Sequence, residues 1–226
     1  MKKWLVIALS TLLLAAGCSN SNGNDEQGTP SEGPSAPVAT VTPAPPVSTD
    51  EPVTATEEPQ VAATSEEAAA ALIAALKESD LATLQSYIHP EKGLLFSPYV
   101  HIDTDTAQVF QREQLPDMED ATEYEWGEYD GIGDPIKLTF KQYYEKFVYN
   151  QDFMNAEETG WDEIKGSGNS IPNIKDVYPD SYLVDYYFSG FNEDFEGMDW
   201  ESLILVLEEY NGGWYIVAIA HSQWTI

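Results

Sequence analysis

Few residues set the chemistry open to this chain: three histidines, one cysteine, and 39 Asp and Glu against 10 Lys and Arg. His89, His101 and His221 are far apart and belong to no His-x-x-x-His or cysteine-containing cluster, so no metal site of the zinc type is expected. His221 is the most informative of the three. It alternates with Val217, Ile219, Gln223 and Thr225 along one face of an apolar C-terminal run. Asp185 lies within a second apolar run. If both side chains entered one low-dielectric pocket, imidazole and carboxylate would form the pair that general acid–base catalysis requires. A small-molecule isomerase or hydratase would use such a pair. The plainer alternative is a histidine at a strand end and an aspartate facing solvent or a lysine. Aromatic rings offer a second chemistry, stacking on a sugar or holding a cation. Tyr144, Tyr187 and Trp224, with Gln223, are the candidate ligand contacts, although rings in strands and amphipathic helices more often fill a core.

The acids are concentrated in loops. Asp103 with Asp105, the 130–134 stretch and the 193–199 stretch each bring two to four carboxylates together. None has the Asp-x-Asp-x-Asp-Gly spacing with a distal Glu that an EF-hand calcium loop needs. Solvated loop acids are the better reading. Asp130-Gly131-Ile132-Gly133 lacks the following helix and lysine of a phosphate-binding loop, and no Gly-x-Ser-x-Gly elbow occurs. No cofactor is implied. From residue 65 onward 32 acids face eight Lys and Arg, a net charge of −24. That balance excludes a nucleic-acid binder, which would carry a basic footprint. It also opposes adsorption to anionic lipid; its general effect is to keep a protein soluble, with cationic ligands or divalent ions as the alternatives.

The single cysteine, Cys18, is a separate matter. Lys2 and Lys3 precede an apolar run over 4–14, too short to span a bilayer but suited to a signal-peptide core. The string Leu14-Ala15-Ala16-Gly17-Cys18 resembles the bacterial lipobox, with Ala15 where the pattern often has Leu. The resemblance implies diacylglycerol on the Cys18 sulfur and cleavage before it, so 1–17 is the expected signal peptide. Two acyl chains anchor firmly where one does not. The expected location is therefore the cell membrane, lipid-anchored and facing the extracytoplasmic side. With no second cysteine there is no disulfide, and the folded part must be held by its core. Residues 18–64 contain eight of the chain's prolines and no aromatic residue. Such a composition buries too little apolar surface to fold, so a disordered tether is expected.

The elements that must position the candidate residues lie in 65–226, one domain's length. Ser65 can cap a first helix, with Glu66 and Glu67 in its first turn and Ala69, Ala70, Leu72, Ile73 and Leu76 as its buried stripe. Asp80 can cap a second, carrying Leu81, Leu84, Tyr87 and Ile88 and stopped at His89-Pro90. Strands are expected over 94–102, 107–110 and 123–129, then a turn at 130–135 and a helix over 140–148 capped by Thr139. The polar 150–180 stretch reads as a long loop, in which Trp161 must find cover. Three strong strands follow over 182–191, 202–209 and 214–226, the last two joined by Asn211-Gly212-Gly213 as a hairpin. Leu203 through Leu207, apolar at every position, implies a strand covered on both faces.

This order of helices, short strands, helix and three long antiparallel strands resembles the nuclear-transport-factor-2-like (cystatin-like) fold. It implies an α+β domain in which N-terminal helices pack on a curved antiparallel sheet, forming a cone. The strings His89-Pro90-Glu91-Lys92-Gly93, Trp126-Gly127, Gly197-Met198-Asp199-Trp200 and Gln223-Trp224-Thr225-Ile226 are also similar to those of uncharacterised Gram-positive lipoproteins. That group implies a location and a fold but no catalytic residues, and fold alone does not decide function. The expectation is a membrane-anchored, non-catalytic module that binds a small molecule or a protein. The enzyme using His221 and Asp185 is the competing reading, and a domain stabilised by divalent ions is a third.

Overall fold

The structure is a computed structural model that describes residues 62–225. The 1–17 segment, Cys18 and nearly all of the tether lie outside the described residues, as does Ile226. The first backbone tie to the sheet comes at Ala62, whose carbonyl accepts the Trp214 N–H at 3.1 Å.

Helix α1 (Ser65–Glu78) is capped by Thr64 and not by Ser65: the Thr64 hydroxyl accepts the Glu67 N–H at 3.2 Å. Glu67 reaches back to the N–H of Ala63, the residue before the cap, which fixes the chain's entry into the helix. Its buried face is Ala68, Ala69, Leu72, Ile73, Ala75 and Leu76, while Ala70 is exposed, a one-position rotation from the expected stripe. Ser79 closes it in the left-handed region, and Asp80 caps α2 (Leu81–Tyr87) through the Thr83 N–H and hydroxyl.

Six strands form one sheet in the order β2-β1-β8-β7-β6-β5: β1 (Leu94–Ser97), β2 (Gln108–Phe110), β5 (Glu158–Trp161), β6 (Tyr182–Phe188), β7 (Glu201–Tyr210) and β8 (Gly213–Gln223). All neighbours are antiparallel except β1 and β8, which run parallel. The fold is thus α+β with a mostly antiparallel sheet. β3 (Glu123–Glu128) and β4 (Pro135–Thr139) form a separate hairpin. The β7–β8 turn is Asn211-Gly212, both at positive φ as the expected hairpin requires, with Gly213 already paired to Tyr210.

Three expectations are corrected. The 94–102 strand ends at Ser97, where Pro98 removes a donor, although Val100 and Ile102 stay buried. The 150–180 stretch is not one loop: it contains β5 and a short helix α4 (Ile174–Val177), and Trp161 remains 47% exposed. Helix α3 (Phe140–Tyr143), held by a Thr139/Gln142 capping box, widens into a π-helical turn over Tyr144–Val148.

The sheet is covered on both faces. Leu203, Leu205 and Leu207 join α1, α3 and the β3–β4 hairpin in one core, where Trp126 stacks on Tyr143 at 3.9 Å. Ile204 and Val206 point the other way, into a smaller core with Leu95, Val100, Ile174, Leu183 and Ala220. A bulge beside Val206 and Leu207 places Val217 and Ala218 both in this second core. Val217 therefore does not share the face of Ile219 and His221, contrary to simple alternation.

Candidate functional site

The register decides the fate of the His221–Asp185 pair. His221 lies opposite Leu203, and its ring meets Phe147 and Phe153 edge-on at 5.9 and 6.4 Å, inside the larger core. Asp185 lies opposite Ile204 and alternates with Leu183 on the other face, over the smaller core. The sheet separates them, so they cannot exchange a proton through a shared pocket. The acid–base reading of this pair is overturned. The rim histidine and the solvent-facing aspartate are overturned too, since both side chains are fully buried, while the lysine that Asp185 does meet is Lys165, through its backbone N–H.

Their environments explain what they do instead. Burial pushes the His221 imidazole down to about 4. Gln223 opposes that effect without closing a hydrogen bond to either ring nitrogen, so His221 is a neutral ring in an aromatic nest. Burial pushes the Asp185 carboxyl up to about 6, against the Lys165 N–H that donates to Oδ2 at 2.7 Å. The Ser202 hydroxyl and the Gly166 N–H lower it slightly, yet Oδ1 and the Ser202 Oγ close no hydrogen bond. Asp185 thus fastens the 165–166 backbone to the sheet, just where Gly166 lies against Trp200. A Cβ on Gly166 would fall 2.2 Å from Trp200 Cζ3.

The four candidate ligand contacts do not converge. The Tyr144 hydroxyl donates to the Leu76 carbonyl, tying the π-turn to α1 inside the core. Tyr187 is half-buried with its ring centre 6.0 Å from that of Trp200, and it lies opposite Ser202. Gln223 lies opposite Glu201, one register position away and so on the other face. It borders a cavity of about 350 Å³ beside Trp200 and the 166–168 loop. Trp224 is exposed past the end of β8.

A different site is present. A cleft of about 650 Å³ opens between the end of β1 with the chain that follows it (97–107) and the end of β3 with the hairpin turn (126–133). Tyr99, His101, Asp103, Glu128, Tyr129 and Asp130 are among its lining residues, which include no Lys or Arg. The Tyr99 hydroxyl accepts the Asp130 N–H at 3.0 Å, fixing one wall to the other. Burial raises the pKa of that phenol, keeping it neutral. His101 donates from Nδ1 to the Ile171 carbonyl at 3.0 Å. Lys146, outside the lining, places its Nζ 4.4 Å from the centre of the Tyr129 ring and 2.9 Å from its hydroxyl. The ring therefore already holds one ammonium group. Carboxylates and phenol rings with no Lys or Arg in the lining make a surface that favours a positively charged ligand.

Sequence reasoning noticed Asp103 and the 130–134 acids only as separate calcium candidates. Their meeting in one cleft depends on how two loops pack, which no local spacing records. Among the described residues no group of three or more His, Cys, Asp or Glu is placed to hold a metal ion, and no helix is long and apolar enough to cross a membrane. No family model, curated protein or solved structure matches the chain.

Proposed function

We propose that this chain is a membrane-anchored extracytoplasmic lipoprotein whose folded domain, of the nuclear-transport-factor-2-like kind, binds an organic ammonium ion in the cleft between β1 and the β3–β4 hairpin. The single observation that carries the binding half is the lining: three carboxylates, two tyrosines and no Lys or Arg around about 650 Å³. A cation over a tyrosine face gains about 0.5–2 kcal/mol depending on its desolvation. Nearby carboxylates add attraction and speed encounter. The cone-like reading of the fold is supported by helices packed on one face of a mostly antiparallel sheet. The anchor half rests on the lipobox-like string ending at Cys18.

Calorimetric titration with tetramethylammonium and with tert-butanol, a neutral analogue of similar size, tests the cleft. The ammonium ion is expected to bind the full chain and to lose about tenfold in affinity with Asp130→Asn, while tert-butanol does not bind. Equal binding of the two, or an unchanged affinity in Asp130→Asn, removes the proposal. The mass of the mature N-terminal peptide tests the anchor separately. A diacylglyceryl group on Cys18 is expected, and an unmodified cysteine contradicts it.

A further inference from the structure

The loop between β6 and β7 exposes Phe191, Phe195 and Met198 at 48%, 50% and 52%. Single exposed apolar side chains are ordinary, but three within eight residues of one loop are not. The loop is also pinned. Asp199 Oδ2 accepts the N–H groups of Phe191 and Asn192 at 3.0 and 2.8 Å, and the Glu157 carboxylate accepts both the N–H and hydroxyl of Ser189. Gly190, at φ 147°, leaves no room for a Cβ, which would sit 2.8 Å from Asp199 Oδ1. Phe191 leans on Phe188 at 5.3 Å, and Phe188 on Phe153, so the base of the loop is fixed to the larger core. The apolar groups therefore stand on a frame whose ordering cost is already met by the fold, which favours binding.

Charge selects the occupant. Glu193, Asp194 and Glu196 are interleaved with the apolar residues, and no Lys or Arg occurs from 176 to the end of the chain. A second copy of this loop would bring like charges together, and an anionic bilayer would be repelled. A segment that is both apolar and basic complements the loop on both counts. We infer that the β6–β7 loop docks a basic amphipathic segment of a partner protein, with Phe191, Phe195 and Met198 meeting its apolar face and the three acids its Lys and Arg side chains. This surface is distinct from the cleft, and neither reading depends on the other.

The probe is a fluorescent Leu/Lys amphipathic peptide, titrated by anisotropy against the full chain carrying Cys18→Ser. A Ser/Lys peptide of equal charge and a Leu/Glu peptide of equal pattern serve as comparisons. The Leu/Lys peptide is expected to bind more tightly than both. Phe195→Ala with Met198→Ala should weaken it about tenfold, as truncating two anchors of an interface does. Glu193→Gln with Glu196→Gln should weaken it at low salt and flatten its salt dependence. Melting curves confirm folding, and the charge variants keep the test usable should the alanine pair lower stability. The inference is overturned by equal binding of the Ser/Lys peptide or by an unchanged affinity in both variants. Loop-dependent self-association in sedimentation, or loop-dependent binding to neutral lipid vesicles, overturns it as well.

Discussion

At the scale of single residues, His221 and Asp185 are both buried ionisable groups whose neutral forms the fold prefers, and their effects on stability have opposite signs. The His221 pKa falls from 6.5 to about 4 on folding. Its contribution is complete above pH 6.5 and is lost as pH falls from there toward 4. The Asp185 pKa rises from 3.8 to about 6. Its destabilisation is complete above pH 6 and is relieved as pH falls toward 3.8. Each effect is on the order of 3 kcal/mol, so between pH 6.5 and 4 they largely cancel. Substitution separates them. Relative to the parent chain, His221→Phe should gain stability as pH falls through that window, whereas Asp185→Asn should lose it. Denaturant melts at several pH values measure both differences. Parallel pH profiles for the two variants would show that these environments are wrongly assigned.

At the scale of elements, legibility followed the strength of the apolar pattern. β7 was readable because Leu203 through Leu207 are apolar at every position, and the turn after it because Asn211-Gly212 favours positive φ. β4 and β5 were not, since Pro135–Thr139 and Glu158–Trp161 are short, carry the strand-weakening Pro135 and Gly160, and pair along only one edge. Thr139 was legible as a cap, but nothing in the sequence marked the π-helical turn after Tyr143. The faces of His221 and Asp185 were illegible for a different reason. Alternation fixes a side chain relative to its own strand, and only the register across β6, β7 and β8 relates one strand to another. The bulge at Val217 adds a further shift that no periodicity reveals.

At the scale of the whole molecule, the acid excess produces two distinct surfaces on one rigid sheet scaffold. One is a cleft with tyrosines and carboxylates, and the other a loop with exposed apolar side chains. Both are made by loops, which a sheet holds in place and which carry little of the stability. Neither could be read from the sequence, because Asp103 and Asp130 come to line one cleft only through packing, and exposure at Phe195 depends on how its loop is pinned. The central claim, that the cleft receives an organic ammonium ion, is tested most directly by backbone amide chemical-shift mapping of the full chain during tetramethylammonium titration. Saturable shifts confined to residues 97–107 and 126–133 are expected. Shifts confined to the 166–168 loop beside Trp200, or none at all, would contradict it.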